Sequence, residues 1–388
     1  MTMICKFCKR EIEDDSEFCR FCGANLRETL DACVITDFSS EHFDLVLQDS
    51  VTKIRDDAFG QWRGLMSIRI PRTVTEIAPR AFYGCWNLEN IVVDKDNEVY
   101  DSREGCNAII ETKSNKLVVG CRNSVIPNSV TEIGDEAFLE QCETVTISIP
   151  NSVTRIGDDV FRNCDSLMIV AIPDSVKEIG DRAFQNSGIT SIYIPASVVK
   201  IGEDAFMGCR ELKRISVDAN NKVYDCRNNC NAIIETKTDK LVVGCDNTFI
   251  PDTVVRIGKN AFNWRRLASH FVIPDSVHDI EENAFTFCLG MDTIEVSSSL
   301  RVIEAEAFSC CGDLKTIMLP GSLYKIGDKA FQCCSKLESV VFSCIITELG
   351  EDIFYGCEKL KTLYVPEGCE EWFERMAPDG VAVKTVGE

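Results

Sequence analysis

The apolar positions of this chain fall into columns. From about residue 48, one phenylalanine returns as Phe59, Phe82, Phe138, Phe161, Phe184, Phe206, Phe262, Phe285, Phe308, Phe331 and Phe354, at intervals of 23 residues, once 22 and twice 56. Five positions before each stands Ile, or Leu349 in the last case, and eight before each stands Val, Leu or Ile. A fixed period of this length marks stacked supersecondary units. A single unit cannot bury its own apolar face and must lean on the next.

One unit reads IPDSVKEIGDRAF (172–184), and a short polar stretch and an LxxIxI strand follow it. The alternation and the Ile/Val content predict a half-buried strand. The proline after it, as at Pro71, Pro150 and Pro173, has no N–H to give to a ladder and ends the strand. The Ile-Gly pair is expected to turn the chain through glycine's access to positive φ. The Asp-x-Ala-Phe stretch is expected to make one helical turn that drives the phenylalanine inward.

Each interval of 56 is one 23-residue unit plus 33 residues. The extra segments are copies of one another: residues 99–121 match residues 223–245 at an offset of 124. Each carries two β-rich runs around a polar tetrapeptide, which predicts a hairpin attached to the side of the stack. Near the end, Cys369, Trp372, Phe373 and Met376 share a helical face and VAVKTV reads as a closing strand, together a cap. The predicted organisation is therefore residues 1–26 as a separate module and 27–47 as a linker and first cap. Residues 48–366 follow as a solenoid of about eleven turns, with insertions at about 94–127 and 218–251, and 367–388 as a last cap.

The first 26 residues hold Cys5-x-x-Cys8 and Cys19-x-x-Cys22. Each pair puts two thiolates on one tight turn, half of a tetrahedral site, and four sulfurs leave no open position. So short a segment buries little, so a bound metal must supply the folding free energy, on the order of 10–16 kcal/mol for zinc modules. Structural Zn2+ on Cys5, Cys8, Cys19 and Cys22 is the expectation. Incidental thiols, or a redox CxxC lacking its strand-to-helix setting, are the alternatives.

This segment resembles the short bacterial-type zinc ribbon, with Lys9 standing where that family's first knuckle carries glycine. The repeat IPxSVxxIGxxAFxxCxxLxxIxI resembles the BspA-like leucine-rich repeat of about 23 residues, over roughly residues 48–366. That resemblance implies a right-handed β-rich solenoid with two hairpin insertions and a protein-binding role. It also implies kinship with surface or secreted adhesins that bind host or matrix proteins. The ribbon's resemblance implies interaction, nucleic-acid binding or local stability.

Charge and composition narrow these classes. Lys and Arg total 41 against 62 Asp and Glu, a net charge of −21, which is poor material for gripping phosphates. The first 26 residues are also net negative, Lys6, Lys9, Arg10 and Arg20 against five carboxylates, so protein contact ranks above a nucleic-acid regulator. No run of 18 apolar residues predicts a membrane span. The start MTMICKFCKR lacks an apolar core of signal-peptide length, so the cytoplasm is expected. A surface location reached by a route without a recognisable signal is the alternative.

The chain has 22 Cys and three His. Cysteines three residues after the column phenylalanine, such as Cys85 and Cys311, read as small buried residues. Cys310, Cys311, Cys333 and Cys334 fall one turn apart and form the sharper candidate. Cys106 with Cys121, and Cys230 with Cys245, are expected to lie close across their hairpins. His42, His270 and His278 belong to no nucleophile–base pattern, and no phosphate-loop motif occurs, so an enzyme is not expected. Outward strand positions mix small hydroxyls with Met, Val and Tyr, a surface on which a protein chain can lie. Tyr193, Met318, Val341 and Tyr364 are the candidate partner contacts, and the partner's identity is not written in the sequence.

Overall fold

The structure, a computed structural model, describes residues 42–386 with their side chains, except Cys142, and the backbone of Thr2–Ile4, Glu11–Glu13 and Cys33–Ser39. The chain forms two compact units. The first comprises Met1–Ile189 with Ser197–Phe206, and the second Thr190–Ala196 with Met207–Glu388. Each is a solenoid of stacked coils.

Every coil contributes a two-residue rung at the Ile before the turn. In the first unit Glu132–Ile133, Arg155–Ile156, Glu178–Ile179 and Lys200–Ile201 pair in parallel, in register, one coil to the next. In the second unit Arg256–Ile257, Asp279–Ile280, Val302–Ile303, Lys325–Ile326 and Glu348–Leu349 do the same. A second ladder uses the LxxIxI strands, with Ile or Val pointing in and the flanking residues out. The fold class read from the columns is thus the one observed.

The column phenylalanines form continuous stacks. Rings lie 5.2–5.5 Å apart from Phe138 to Phe206 in the first unit and 5.0–5.8 Å apart from Phe262 to Phe354 in the second. Around Phe82 the chain makes the helical turn expected from the sequence, the 3₁₀ turn Pro79–Phe82, and around the other rings it does not. There the residues two before and two after the ring are left-handed, with φ of 55–60° at Asn283 and Phe287 around Phe285, and at Glu306 and Cys310 around Phe308. That geometry aims every second N–H at the following coil. Phe285 N–H donates to Ala307 O at 2.7 Å and Phe308 N–H to Ala330 O at 2.8 Å. A helical turn would have consumed those donors locally.

The glycines of the Ile-Gly pairs also differ from expectation. Gly180, Gly202, Gly327 and Gly350 are not among the left-handed residues. At each, a Cβ would sit inside the backbone of the preceding coil, so close approach is what requires glycine there. The aspartate after them has a related duty. Asp135 Oδ1 accepts from Asp158 N–H at 2.9 Å, and Asp158 Oδ1 from Asp181 N–H at 3.0 Å, a carboxylate ladder along one edge.

Each insertion is a hairpin, but it stands in the ladder rather than beside it. Ile109–Glu111 pairs antiparallel with Lys116–Val119, which in turn pairs in parallel with Glu132–Ile133. Ile233–Glu235, Lys240–Val243 and Arg256–Ile257 repeat this arrangement. The inserted strand therefore takes a rung, because its alternating Leu and Val present the same buried edge as a coil. It carries no phenylalanine, and the next ring lies flat on a glycine instead: Phe138 on Gly120, Phe262 on Gly244.

At the end of the second unit Ala382–Thr385 pairs in parallel with Thr362–Val365. The helix Glu370–Glu374 buries Phe373 against Phe342, ring centroids 4.6 Å apart. These cover the strand side. On the turn side the hand-off simply stops. Among the described residues the N–H groups of Asp352, Phe354 and Gly356 have no acceptor, and they line a cleft of about 510 Å³ with Met376 and Pro378.

Gly120→Ala and Gly244→Ala are each expected to destabilise their unit by about 1–3 kcal/mol or more, since a methyl group has no space beneath the ring. Gly312→Ala, where the nearest atom is Ser335 Oγ at 3.6 Å, is the control and should leave the midpoint nearly unchanged. Thermal unfolding of the three variants decides this.

Candidate binding surface

The second unit contains a six-stranded parallel sheet with one face turned outward. Its strands include Thr316–Leu319, Ser339–Phe342, Thr362–Val365 and Ala382–Thr385. The register sets Met318 opposite Val341, Val341 opposite Tyr364, and Tyr364 opposite Lys384. Ile317, Val340 and Leu363 between them point into the core, and that buries the sheet's other face. Met318 is 62% exposed, while Val341 and Tyr364 are half-buried beside it. Beside this row runs a hydroxyl row, in which Thr316 Oγ1 and Ser339 Oγ share a hydrogen bond of 3.2 Å. His270 Nδ1 lies 3.1 Å from Thr293 Oγ1, and its Nε2 lies 3.6 Å from Glu295, a surface position with no nucleophile attached.

The structure brings three of the four candidate contacts together and separates the fourth. Tyr193 lies on Ser191–Ile194, which pairs with Arg214–Val217 in a different, two-stranded sheet. Its hydroxyl donates to Asp218 Oδ2 at 2.6 Å, a bond that holds the Asp218 carboxyl below its usual range. It borders a polar cleft of about 580 Å³ with Arg214, Cys226, Asn229, Asn231 and Asn247. The sequence pattern could not separate these sheets, because it repeats identically in both.

A second exposed feature escaped the sequence reading. In the column two residues after the phenylalanine, which is left-handed throughout, Asn163, Asn186 and Gly208 are ordinary occupants. Trp264 and Phe287 hold the same conformation at φ 60° and 59°, where bulky residues are outliers. Their rings stack 4.2 Å apart and the Arg210 guanidinium lies 3.9 Å over Trp264. Such strain costs roughly 1–3 kcal/mol per residue and collects at functional surfaces. The signal was present as two aromatics in a column otherwise of Asn, Gln, Glu, Gly and Cys.

The cysteine columns resolve into two kinds. Cys85, Cys164, Cys288, Cys311 and Cys334 are buried, and each thiol donates to the carbonyl of the phenylalanine 26 residues earlier, at 3.0–3.2 Å. Burial pushes the Cys85 and Cys288 thiols up to about 12, so they stay protonated. Cys310 and Cys333 point outward, away from Cys311 and Cys334, so the doublets do not form one four-sulfur cluster. Across the hairpins the expected pairs stay free thiols: Cys121 and Cys245 hydrogen-bond to the carbonyls of Asn107 and Asn231, the residues after Cys106 and Cys230, while Cys230 lies 3.9 Å from Cys226. Among the described residues no group of three or more His, Cys, Asp or Glu could hold a metal. Cys5, Cys8, Cys19 and Cys22 lie outside those residues. The strands that flank the first pair in sequence, Thr2–Ile4 and Glu11–Glu13, pair antiparallel. Among the described residues no helix is long and apolar enough to cross a membrane.

Compared with known proteins, the chain matches the model of the BspA type leucine rich repeat region, in six copies, over residues 38–138, 131–254 and 255–376. It is similar to the crystal structure of a leucine rich cell surface protein from Faecalibacterium prausnitzii, at 28% identity and a TM-score of 0.67, covering 89% of this chain and 96% of that one. It has the fold of the pneumococcal vaccine antigen PcpA, at 16% identity and a TM-score of 0.62, over 92% and 97% of the two chains. A leucine-rich repeat protein from Eubacterium ventriosum shares the fold at 20% identity and a TM-score of 0.53, over 88% and 80%. No curated protein matches at a significant level.

Because Met318 and Tyr364 stand on the outer face, Met318→Glu with Tyr364→Glu should leave the unfolding midpoint within a few degrees of the parent. Val340→Asp, which places a charge in the core between them, should unfold this unit. Circular dichroism on heating reads both.

Proposed function

The chain belongs to the BspA-type leucine-rich repeat family, and from that premise we propose that it is a non-enzymatic protein-binding scaffold working at a cell surface. The observation that carries the binding reading is the in-register row of Met318, Val341 and Tyr364 on a rigid sheet whose other face is core. A flat, pre-ordered surface with exposed apolar and aromatic side chains binds an extended or flat partner without first ordering itself. The strained Arg210, Trp264 and Phe287 stack supplies a second anchoring patch, since Trp, Phe and Arg are favoured at interface cores. Location follows the 28% identical relative, which is described as a cell surface protein. That support outweighs cytoplasmic residence, which was inferred from the start of the chain.

Binding of the full chain to immobilised matrix and host-surface proteins tests the role. Met318→Glu with Tyr364→Glu, or Phe287→Asn, should weaken a bound partner about ten-fold or more with folding intact. Unchanged binding in both variants removes these faces from consideration. Protease shaving of intact cells tests location: loss of the chain supports display, and full protection restores the cytoplasmic alternative.

We propose also that Cys5, Cys8, Cys19 and Cys22 hold one structural Zn2+ in an accessory ribbon. Support comes from their two CxxC spacings and from the paired strands on either side of the first. Metal analysis should find one zinc per chain, lost in Cys19→Ser without a change in the midpoint of the repeat units. Retention of zinc in that variant rejects the site.

A further inference from the structure

The second insertion carries a thiol pair that the first does not. Cys226 and Cys230 bracket the short 3₁₀ turn Arg227–Asn229, in which Asn228 and Asn229 are left-handed at φ 59° and 55°. Arg227 pins the turn to Asp225 at 2.8 Å and to Asp239 at 2.6 Å. The result is two sulfurs 3.9 Å apart. Cys226 is partly exposed and lines the polar cleft beside Tyr193, while Cys230 is 0% exposed behind it.

The fold does not require this pair. At the matching place in the first insertion stands Ser102, 124 residues earlier, whose hydroxyl accepts from Val93 N–H at 2.8 Å, with Cys106 in the place of Cys230. The turn there, Arg103–Gly105, has the same form. The Cys226 thiol makes a long contact to Ile215 O, at 3.6 Å, where Ser102 makes a 2.8 Å bond, so its sulfur is a poor substitute for that hydroxyl as a structural group.

We propose that Cys226 and Cys230 are a reversible dithiol–disulfide site, closed by exchange with a small disulfide of the glutathione type entering the cleft. The Cys226 thiolate attacks one sulfur of that disulfide, and the S–S bond breaks with release of one small thiolate. The Cys230 sulfur then attacks the Cys226 sulfur, and its proton passes to the second small thiolate, which leaves as a thiol as the protein S–S bond forms. Two protein thiols are oxidised and one small disulfide is reduced to two thiols. The sulfurs must close from 3.9 Å to about 2.05 Å.

The roles are unequal in the right sense. The hydrogen bond between the two sulfurs draws the Cys226 thiol down to about 6, and the same bond, with burial, holds Cys230 up. The exposed member is the attacking thiolate and the sealed one resolves. The buried repeat thiols are excluded by burial and by their bonds to carbonyls. The site is independent of whether the sheet face binds a partner.

The test exposes the reduced full chain to oxidised glutathione and maps each cysteine by alkylation and peptide mass. A Cys226–Cys230 bond is expected, reversed by dithiothreitol, with Cys106 still a thiol. Cys226 alkylation by iodoacetamide should persist down to about pH 6, where ordinary thiols have lost most of their reactivity. Cys230→Ala should accumulate a mixed disulfide on Cys226 at least ten-fold over the parent. Ser102→Cys should create a second oxidisable pair with Cys106, a readout that holds even if Cys230→Ala folds poorly. Cys226 remaining free while Cys310 and Cys333 cross-link, or no bond in the parent and none in Ser102→Cys, overturns the proposal.

Discussion

Everything in these two units depends on a one-way hand-off of backbone hydrogen bonds around the buried phenylalanine. Coil n donates and coil n+1 accepts, as from Phe161 N–H to Ala183 O at 2.7 Å. The rings stack because that bond sets the spacing, and they are buried because neighbours cover both faces. The left-handed residues have a compositional consequence. Left-handed positions tolerate Asn and Asp best, which explains part of why so acidic a chain folds into so regular a stack. The polarity also makes the two ends of a stack chemically different, and at the turn side of the last coil it leaves donors facing water.

The duplicated insertions show how such a ladder absorbs a foreign segment. A hairpin strand enters the rung order because a parallel ladder asks only for N–H and C=O groups at the right pitch, and Lys116–Val119 offers them to Glu132–Ile133. What it cannot offer is a ring, so the stack is mended by the absence of a side chain at Gly120 and Gly244. Near one repair the second unit buries Arg265 where most other coils have cysteine, with its guanidinium on the carbonyls of Gly244 and Cys209.

The period, the core columns and the fold class were legible because burial repeats every coil and leaves the same residue at the same place. The helical turn around most rings, the side-attached hairpin and the positive-φ glycines were misread for a common reason. Each depends on what the neighbouring coil does with its backbone, and a residue pattern records side chains only. Tyr193 was grouped with Met318, Val341 and Tyr364 because the strand pattern does not say where one sheet ends. Trp264 and Phe287 were legible in principle, as exceptions in a column, but only once that column was known to be left-handed. The approach of Cys226 to Cys230 follows from a turn whose two left-handed asparagines no periodicity foretells.

The thiols bear on location differently from what their number suggests. A count of 22 invites the inference of a reducing compartment, on the premise that thiols survive only where something keeps them reduced. Here most of the repeat cysteines are kept reduced by the fold itself. Cys311, for example, is sealed from solvent, raised well above its ordinary pKa by burial, and bonded through its hydrogen to Phe285 O at 3.1 Å. Oxidants act on accessible thiolates, and this side chain is neither accessible nor a thiolate. The column therefore tolerates an oxidising surface as well as a cytoplasm, and the cysteine count does not oppose surface display. Among the described residues the thiols that are not fully buried, Cys226 beside Cys230, Cys310, Cys333, Cys344, Cys357 and Cys369, are the ones that can register the redox state of their surroundings.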